Sequence, residues 1–508
     1  SSAATEVSLV VSLGLLSLIK FNIFVAGVAA VLVIAADNVW RQRRFPWILP
    51  VFGASLLFFW VMAGQQLGSL VPFICNSWRI TSGFTGAMSL VNATETRDVC
   101  LFLAATVMLG ALAGCVAWKR HRFFGILPLV GLGFVGFMAF KYGYVRHDGH
   151  EVAATIHLLL AALACQAMMW PLARKKGRLA VASTFLPTMV ILLFTSMTFS
   201  RHVEGGFLPA LARTFSLRNL VAPLGLFYDR ERLLEAQEEN FAALRDQFPL
   251  PQIEGSVDVY PWNQAAIFAH GLRYHPRPVI QSYSAYTPEL AELNAAFLRS
   301  DAAADNILFE IAPIDFNFPA LEDGRSWPEL LTRYDIKNIN GPFLLLTRSA
   351  TPRKYQKVFL KDAAVSFGKP VPLPSSSAGP IWAEIEINQS LLGAVVSALY
   401  KPPILSLTVT LRDGRQGDFR LVPGMARSGF LLSPFIGDQK SFALLAARDG
   451  LNSLAGFEVT SATVSVANQF GATACYQTAM RLRLYRLDYP RQNIDKINGE
   501  PAVPNPAR

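Results

Sequence analysis

Apolar runs of membrane length fill the first 200 residues and then stop. Crossing a bilayer core takes about 20 mostly apolar residues. Runs of that kind occupy 46–64, 99–118, 123–140, 152–172 and 179–199. An earlier apolar stretch, 7–37, is interrupted by Lys20 and is too long for one crossing, so two helices joined near Lys20 are expected. The expectation for residues 1–200 is a polytopic α-helical membrane domain of six or seven transmembrane helices. Charge sorts with hydropathy. Residues 1–200 carry 15 Lys/Arg and 6 Asp/Glu, whereas residues 201–508 carry 31 and 30. Nearly all of the net charge of +10 therefore sits in the apolar part. A cationic excess confined to apolar sequence is a topology signal and argues against nucleic acid as a partner. Only 16% of residues are charged, against about 25% in soluble domains, which excludes a wholly soluble or disordered chain.

The loops between the runs set an orientation. Arg41, Arg43, Arg44, Lys119, Arg120, Arg122, Arg174, Lys175, Lys176 and Arg178 occupy three loops that hold no acidic residue. Loops 65–98 and 141–151 alternate with them and hold Glu95, Asp98, Asp148 and Glu151. The positive-inside rule puts the basic loops in the cytoplasm. Everything after Ser200 is then extracytoplasmic, as for a bacterial inner-membrane protein with a periplasmic carboxyl-terminal half. Gln65–Ile80 is expected to form an interfacial helix. Cys75 and Cys100 lie near the outer face, where a disulfide is chemically permitted. The five cysteines form no CxxC pair, so no zinc or redox signature is present.

Residues 201–249 read as an interfacial helix (206–228) and an amphipathic stalk (229–248). Strands and helices alternate over 250–350, predicting a small α/β domain with strands at Val257–Tyr260, Pro278–Gln281, Ile307–Ile311 and Phe343–Thr347. Thr287 is the expected N-cap of a helix to Arg299, and Ser326-Trp-Pro-Glu329 fits a capping box. A Pro/Ser linker, 369–380, leads into short β runs that predict a β-sandwich or jelly roll over 351–490, with helix only at 389–400. Residues 491–508 read as a loose tail.

Loop 141–151 concentrates the polar chemistry of the apolar part. Asp148 and Glu151 are candidate catalytic carboxylates that would deprotonate an acceptor hydroxyl. His147 and His150 are candidate ligands for a divalent metal ion. Arg146, Tyr142 and Tyr144 are candidate substrate contacts, Arg146 through a lipid phosphate. A solvated hairpin flanked by aromatic belt residues would look the same. His157, inside the next run, is an ionisable group in apolar surroundings. In the α/β region Gln281, Tyr283 and Tyr286 are placed to contact sugar rings if the segment Arg277–Tyr286 ends a strand; packing against a neighbouring surface is the alternative. Trp262, Trp327 and Trp382 read as packing anchors.

A polytopic helical part with polar outward loops, followed by a globular extracytoplasmic part, resembles the GT-C class of membrane glycosyltransferases. Leu13-Gly-Leu-Leu-Ser-Leu-Ile-Lys20-Phe resembles a span boundary in its polyprenyl-phosphate-dependent members. The resemblance implies a lipid bilayer, a polyprenyl-phosphate-linked sugar and an envelope glycan as partners, in envelope polysaccharide or glycolipid assembly. It also implies a catalytic carboxylate in the first outward loop. No numbered position here matches it, so the chain is expected to be a carboxyl-terminal fragment. A non-enzymatic membrane-anchored module binding glycan or protein fits the same sequence; a transporter fits less well, because intramembrane charges are few.

Overall fold

The computed structural model describes residues 3–40, 43–120, 126–174, 178–214, 229–467 and 472–494, and residues 216, 219, 221 and 225. The chain divides into two compact units, one of Ser1–Thr81 with Met88–Pro223 and the other of Ser82–Ala87 with Leu224–Arg508.

The first unit is helical. Ala3–Ile19 (α1) and Phe21–Trp40 (α2) meet at Lys20, as the interruption predicts. Ile48–Met62 (α3), Leu70–Met88 (α4), Glu95–Arg120 (α5), Ile126–Tyr144 (α6), His150–Arg174 (α7), Arg178–His202 (α8) and Phe207–Thr214 (α9) follow. Among the described residues, two helices are long and apolar enough to cross a membrane, Phe21–Trp40 and His150–Ala167. Helices α3 and α4, bent by 115° at the break between them, add a third if they form one span. That is fewer than the six or seven that the apolar runs suggest. Helices α1 and α3 have 17 and 15 residues, short of the ~20 that a crossing needs. Arg41, Arg122, Lys175, Lys176 and much of 206–228 lie outside the described residues.

Small and hydroxylated side chains let these helices touch. A Cβ on Gly14 would lie 2.3 Å from Ser55 Oγ, and Ser55 Oγ donates to the Val11 carbonyl at 2.9 Å, so α1 and α3 meet backbone to side chain. A Cβ on Gly143 would lie 2.4 Å from Ala154 Cβ. Glycine there lets the first turns of α7 press against the end of α6, which fixes the loop between them.

In the second unit Arg230–Gln247 (α10) is capped by Asp229 and buries no residue, in keeping with a stalk. Ser256–Tyr260 (β1), Arg273–Tyr274 (β2), Asn306–Phe309 (β3), Tyr334–Asn340 (β4) and Phe343–Arg348 (β5) form one sheet in the order β2-β1-β3-β5-β4. Strands β1, β2 and β3 are parallel; β5 is antiparallel to β3 and β4. Thr287 caps Pro288–Arg299 as expected. The strand expected at Pro278–Gln281 does not form. Asn294 takes the place of a ladder there: its Oδ1 accepts from Val279 N at 2.8 Å and its Nδ2 donates to Val279 O at 3.0 Å. The capping box at Ser326 is also corrected. Ser326 is the first helical residue, donating to Asp323 Oδ2 at 2.9 Å, while Glu329 is buried and pairs with Arg299 and Arg333.

The remaining strands make two four-stranded sheets. Gln416–Leu421 (β10), Leu405–Leu411 (β9), Val459–Val466 (β12) and Val371–Pro372 (β7) form one, in that order. Phe430–Ser433 (β11), Ile381–Glu386 (β8), Ala479–Asp488 (β13) and Gln356–Ser366 (β6) form the other. All their pairings are antiparallel. Strand β6 lies at an edge and largely in solvent, so it lacks the apolar alternation by which a strand is read. Strand β7 falls inside the expected linker. The tail is held at Gln492, whose Oε1 accepts from Ile336 N at 2.9 Å and whose Nε2 donates to Tyr334 O at 2.8 Å; residues 495–508 lie outside the described residues. Trp327 and Trp382 are core residues, whereas Trp262 is exposed.

Two adjacent buried carboxyls give this unit a pH dependence. Burial pushes both Glu322 and Asp323 up to about 7. A carboxyl whose folded-state pKa is raised stabilises the fold below its unfolded value, and that stability is lost as pH rises through about 7. Glu322 Oε1 accepts from Ile314 N and Asn317 Nδ2, both at 2.9 Å, and a glutamine oxygen can do the same. The melting temperature of the chain should therefore fall between pH 5.5 and 8, and Glu322→Gln should flatten the fall. An unchanged slope in the variant would contradict the assignment.

Candidate functional site

Three chain segments of the helical unit converge at one group of side chains. The turn between α6 and α7 is set locally: Asp148 Oδ1 accepts from His150 N at 3.0 Å and so caps α7. Leu90 N donates to Val145 O at 3.0 Å and Asn92 Nδ2 to His147 O at 3.2 Å, which ties the turn to the chain entering α5. These bonds join the two loops that hold the acidic residues. Arg201 and His202 arrive from the end of α8.

Asp98, His147 and Glu151 stand in the middle, and their side chains have no exposed surface. His147 Nε2 bonds Glu151 Oε2 and lies 3.5 Å from Asp98 Oδ2. Thr94 Oγ1 donates to Asp98 Oδ2 at 2.6 Å, and Arg97 Nε to Asp98 Oδ1 at 3.1 Å. Arg201 bonds Asp98 through Nη1 and reaches Glu151 Oε1 at 3.2 Å through Nη2. His202 Nε2 bonds the same Glu151 oxygen. The Arg201 and His202 side chains are 25% and 23% exposed, so this pair forms the accessible edge of an otherwise closed group. Burial alone would lower the pKa of His147, but its bond to Glu151 and the carboxylate of Glu95 raise it to about 9. Burial would raise Asp148, yet the His150 backbone and ring and the charge of Arg146 hold it below the usual carboxylate range.

Of the residues singled out from sequence, His147 and Glu151 belong to this group. Asp148, His150 and Arg146 form a half-exposed set of their own: His150 Nδ1 bonds Asp148 Oδ1, and Arg146 Nε bonds Asp148 Oδ2 at 2.8 Å. Tyr144 is fully buried and packs edge-on against His147 with ring centres 5.5 Å apart. Tyr142 faces His150 and has the Lys20 ammonium 4.9 Å above its ring. His157 lines a cavity of about 260 Å³ whose other walls include Phe102, Thr106, Leu132 and Gly136 from α5 and α6. Cys75 and Cys100 are free thiols.

Asp98, Arg201 and His202 were missed. Their signal was positional: each is a charged or ionisable residue beside the end of an apolar run. Gln281, Tyr283 and Tyr286 belong to the second unit, where they follow no strand and Tyr286 is buried. Beside them, Arg277 was also missed. It is fully buried, donating to Asp258 Oδ2 at 3.0 Å, Val259 O at 2.6 Å, Pro261 O at 3.1 Å and Ser282 Oγ at 3.0 Å, and it stacks 3.6 Å from the Tyr260 ring centre.

Compared with protein-family models, curated proteins and solved structures, the chain matches none. What the group can do must come from its own chemistry. An arginine at the open edge can neutralise an anionic oxygen. A histidine with a buried carboxylate behind Nε2 can accept a proton at Nδ1, since the carboxylate stabilises the imidazolium that forms.

Proposed function

We propose that the chain is a polytopic inner-membrane protein of bacteria and acts as a GT-C-like glycosyltransferase. In this reading it moves a sugar from a polyprenyl-phosphate donor onto an envelope glycan or glycolipid on the extracytoplasmic face. The observation that carries the reading is the partly exposed Arg201–His202 pair set on the buried Asp98, His147 and Glu151. All five residues come from loops or helix ends that the charge pattern assigns to the outer side.

Arg201 binds the donor phosphate. His202, held by Glu151, takes the proton of the acceptor hydroxyl as its oxygen bonds to the anomeric carbon. The bond from that carbon to the phosphate oxygen breaks, and polyprenyl phosphate leaves with its new charge facing Arg201. The apolar cavity beside His157 offers room for the first isoprene units of the donor. The second unit, with its two antiparallel sheets, binds the acceptor glycan. The test is to incubate the purified chain in lipid with a panel of polyprenyl-phosphate sugars and an envelope glycan acceptor. Release of polyprenyl phosphate with one donor is expected; absence of both transfer and hydrolysis with every donor would remove the reading.

A further inference from the structure

Asp98, His147 and Glu151 each offer one ligand atom, and these atoms all lie within 4.8 Å of one another, in side chains with no exposed surface. From this we infer that the three residues form the seat of one divalent first-row transition ion, of the Zn²⁺ or Mn²⁺ class. The inference rests on reading the helix-end group as a working centre, though not on the identity of its reaction.

Four observations support it. The donors come from three places in the chain, α5, the 145–149 turn and α7, so the fold itself brings them together. The separation of 3.5 Å between His147 Nε2 and Asp98 Oδ2 is close to the ~3.3 Å between two ligands on a tetrahedral ion with bonds of about 2.0–2.1 Å. Arg201 and His202 occupy Glu151 Oε1, while Oε2 bonds His147 Nε2, and an ion seated between these two atoms would take the place of that hydrogen bond. Finally, His147 Nδ1 is buried without a hydrogen-bond partner, and Glu95 Oε2 lies 3.9 Å from it. A metal-bound imidazole donates its other N–H to a carboxylate, and Glu95, at 3.9 Å still beyond hydrogen-bond reach, is the carboxylate that faces Nδ1. One imidazole with two carboxylates and no thiolate suits Zn²⁺ or Mn²⁺, whereas Ca²⁺ takes oxygen ligands alone.

The full chain, stripped with a chelator, would be titrated with Mn²⁺ while free Mn²⁺ is read by electron paramagnetic resonance. Zn²⁺ would then be added in competition. One saturable equivalent is expected, displaced by Zn²⁺. Affinity should fall by about tenfold or more in Asp98→Asn and His147→Gln and stay unchanged in His275→Ala, in the second unit. No saturable equivalent, or wild-type affinity in both ligand variants, would overturn the seat. If a ligand variant fails to fold, the wild-type chain still decides: its melting temperature must rise with Mn²⁺, and a flat response would overturn the proposal. Binding is read without donor or acceptor, so a chain that holds Mn²⁺ but transfers nothing keeps the metal seat and loses only the transferase.

Discussion

Glu151→Gln is expected to fold and to lower sugar transfer by about 10²–10⁴-fold, the range that general acid–base catalysis supplies. Glutamine has the same shape, and its oxygen can still accept from Arg201 or His202. It lacks the charge that stabilises a protonated His202. The loss should therefore appear in kcat more than in KM, because donor binding depends on Arg201. His202→Gln should cost a similar factor, and the double variant little more than either single one, since the two residues act as a unit. Full additivity, or a Glu151→Gln enzyme within about threefold of wild type, would separate Glu151 from proton transfer.

Arg277→Ala is expected to destabilise the second unit by about 3–5 kcal/mol, the cost of leaving a buried charge without its partner. Asp258 lies opposite Arg277 with no exposed surface and would keep only the Val259 and Arg277 backbone N–H groups. Asp323, 3.8 Å from the guanidinium, would lose its nearest cation. The carbonyls of Val259 and Pro261 would each lose a donor, Pro261 keeping only the Ser282 N–H, which loosens the end of β1 and the turn after it. Denaturant unfolding followed by near-ultraviolet circular dichroism reads the change. Lysine should not rescue it, because one ammonium cannot reach four acceptors in the plane that a guanidinium spans. A loss below about 1 kcal/mol would mean that the network contributes no net stability.

Much of the architecture was legible because burial leaves a periodic mark. Thr287 with Pro288 marks a helix start, and the alternating burial of Leu405–Leu411 marks a strand. What escaped lacks that mark. Strand β6 is an exposed edge, and Arg277 is a charge in the interior, which pattern reading assigns to the surface. Pro278–Gln281 looked like a strand because it is apolar, but side chains take up its backbone groups, Asn294 at Val279 and Gln264 at Ile280. The site was half legible. His147 and Glu151 lie four residues apart at the start of a helix, so proximity in sequence found them. Asp98 and Arg201 are 103 residues apart, and only the packing of α5 against α8 brings them to one place.

The transferase reading requires the loops bearing Asp98 and His147 to face away from the cytoplasm. The most direct measurement is a pair of reporters fused at the carboxyl terminus in a bacterial host: alkaline phosphatase, active only outside the cytoplasm, and a fluorescent protein that matures only inside. Phosphatase activity with a dark fluorescent fusion is the predicted result. A bright fluorescent fusion with inactive phosphatase would place the second unit in the cytosol and contradict the account.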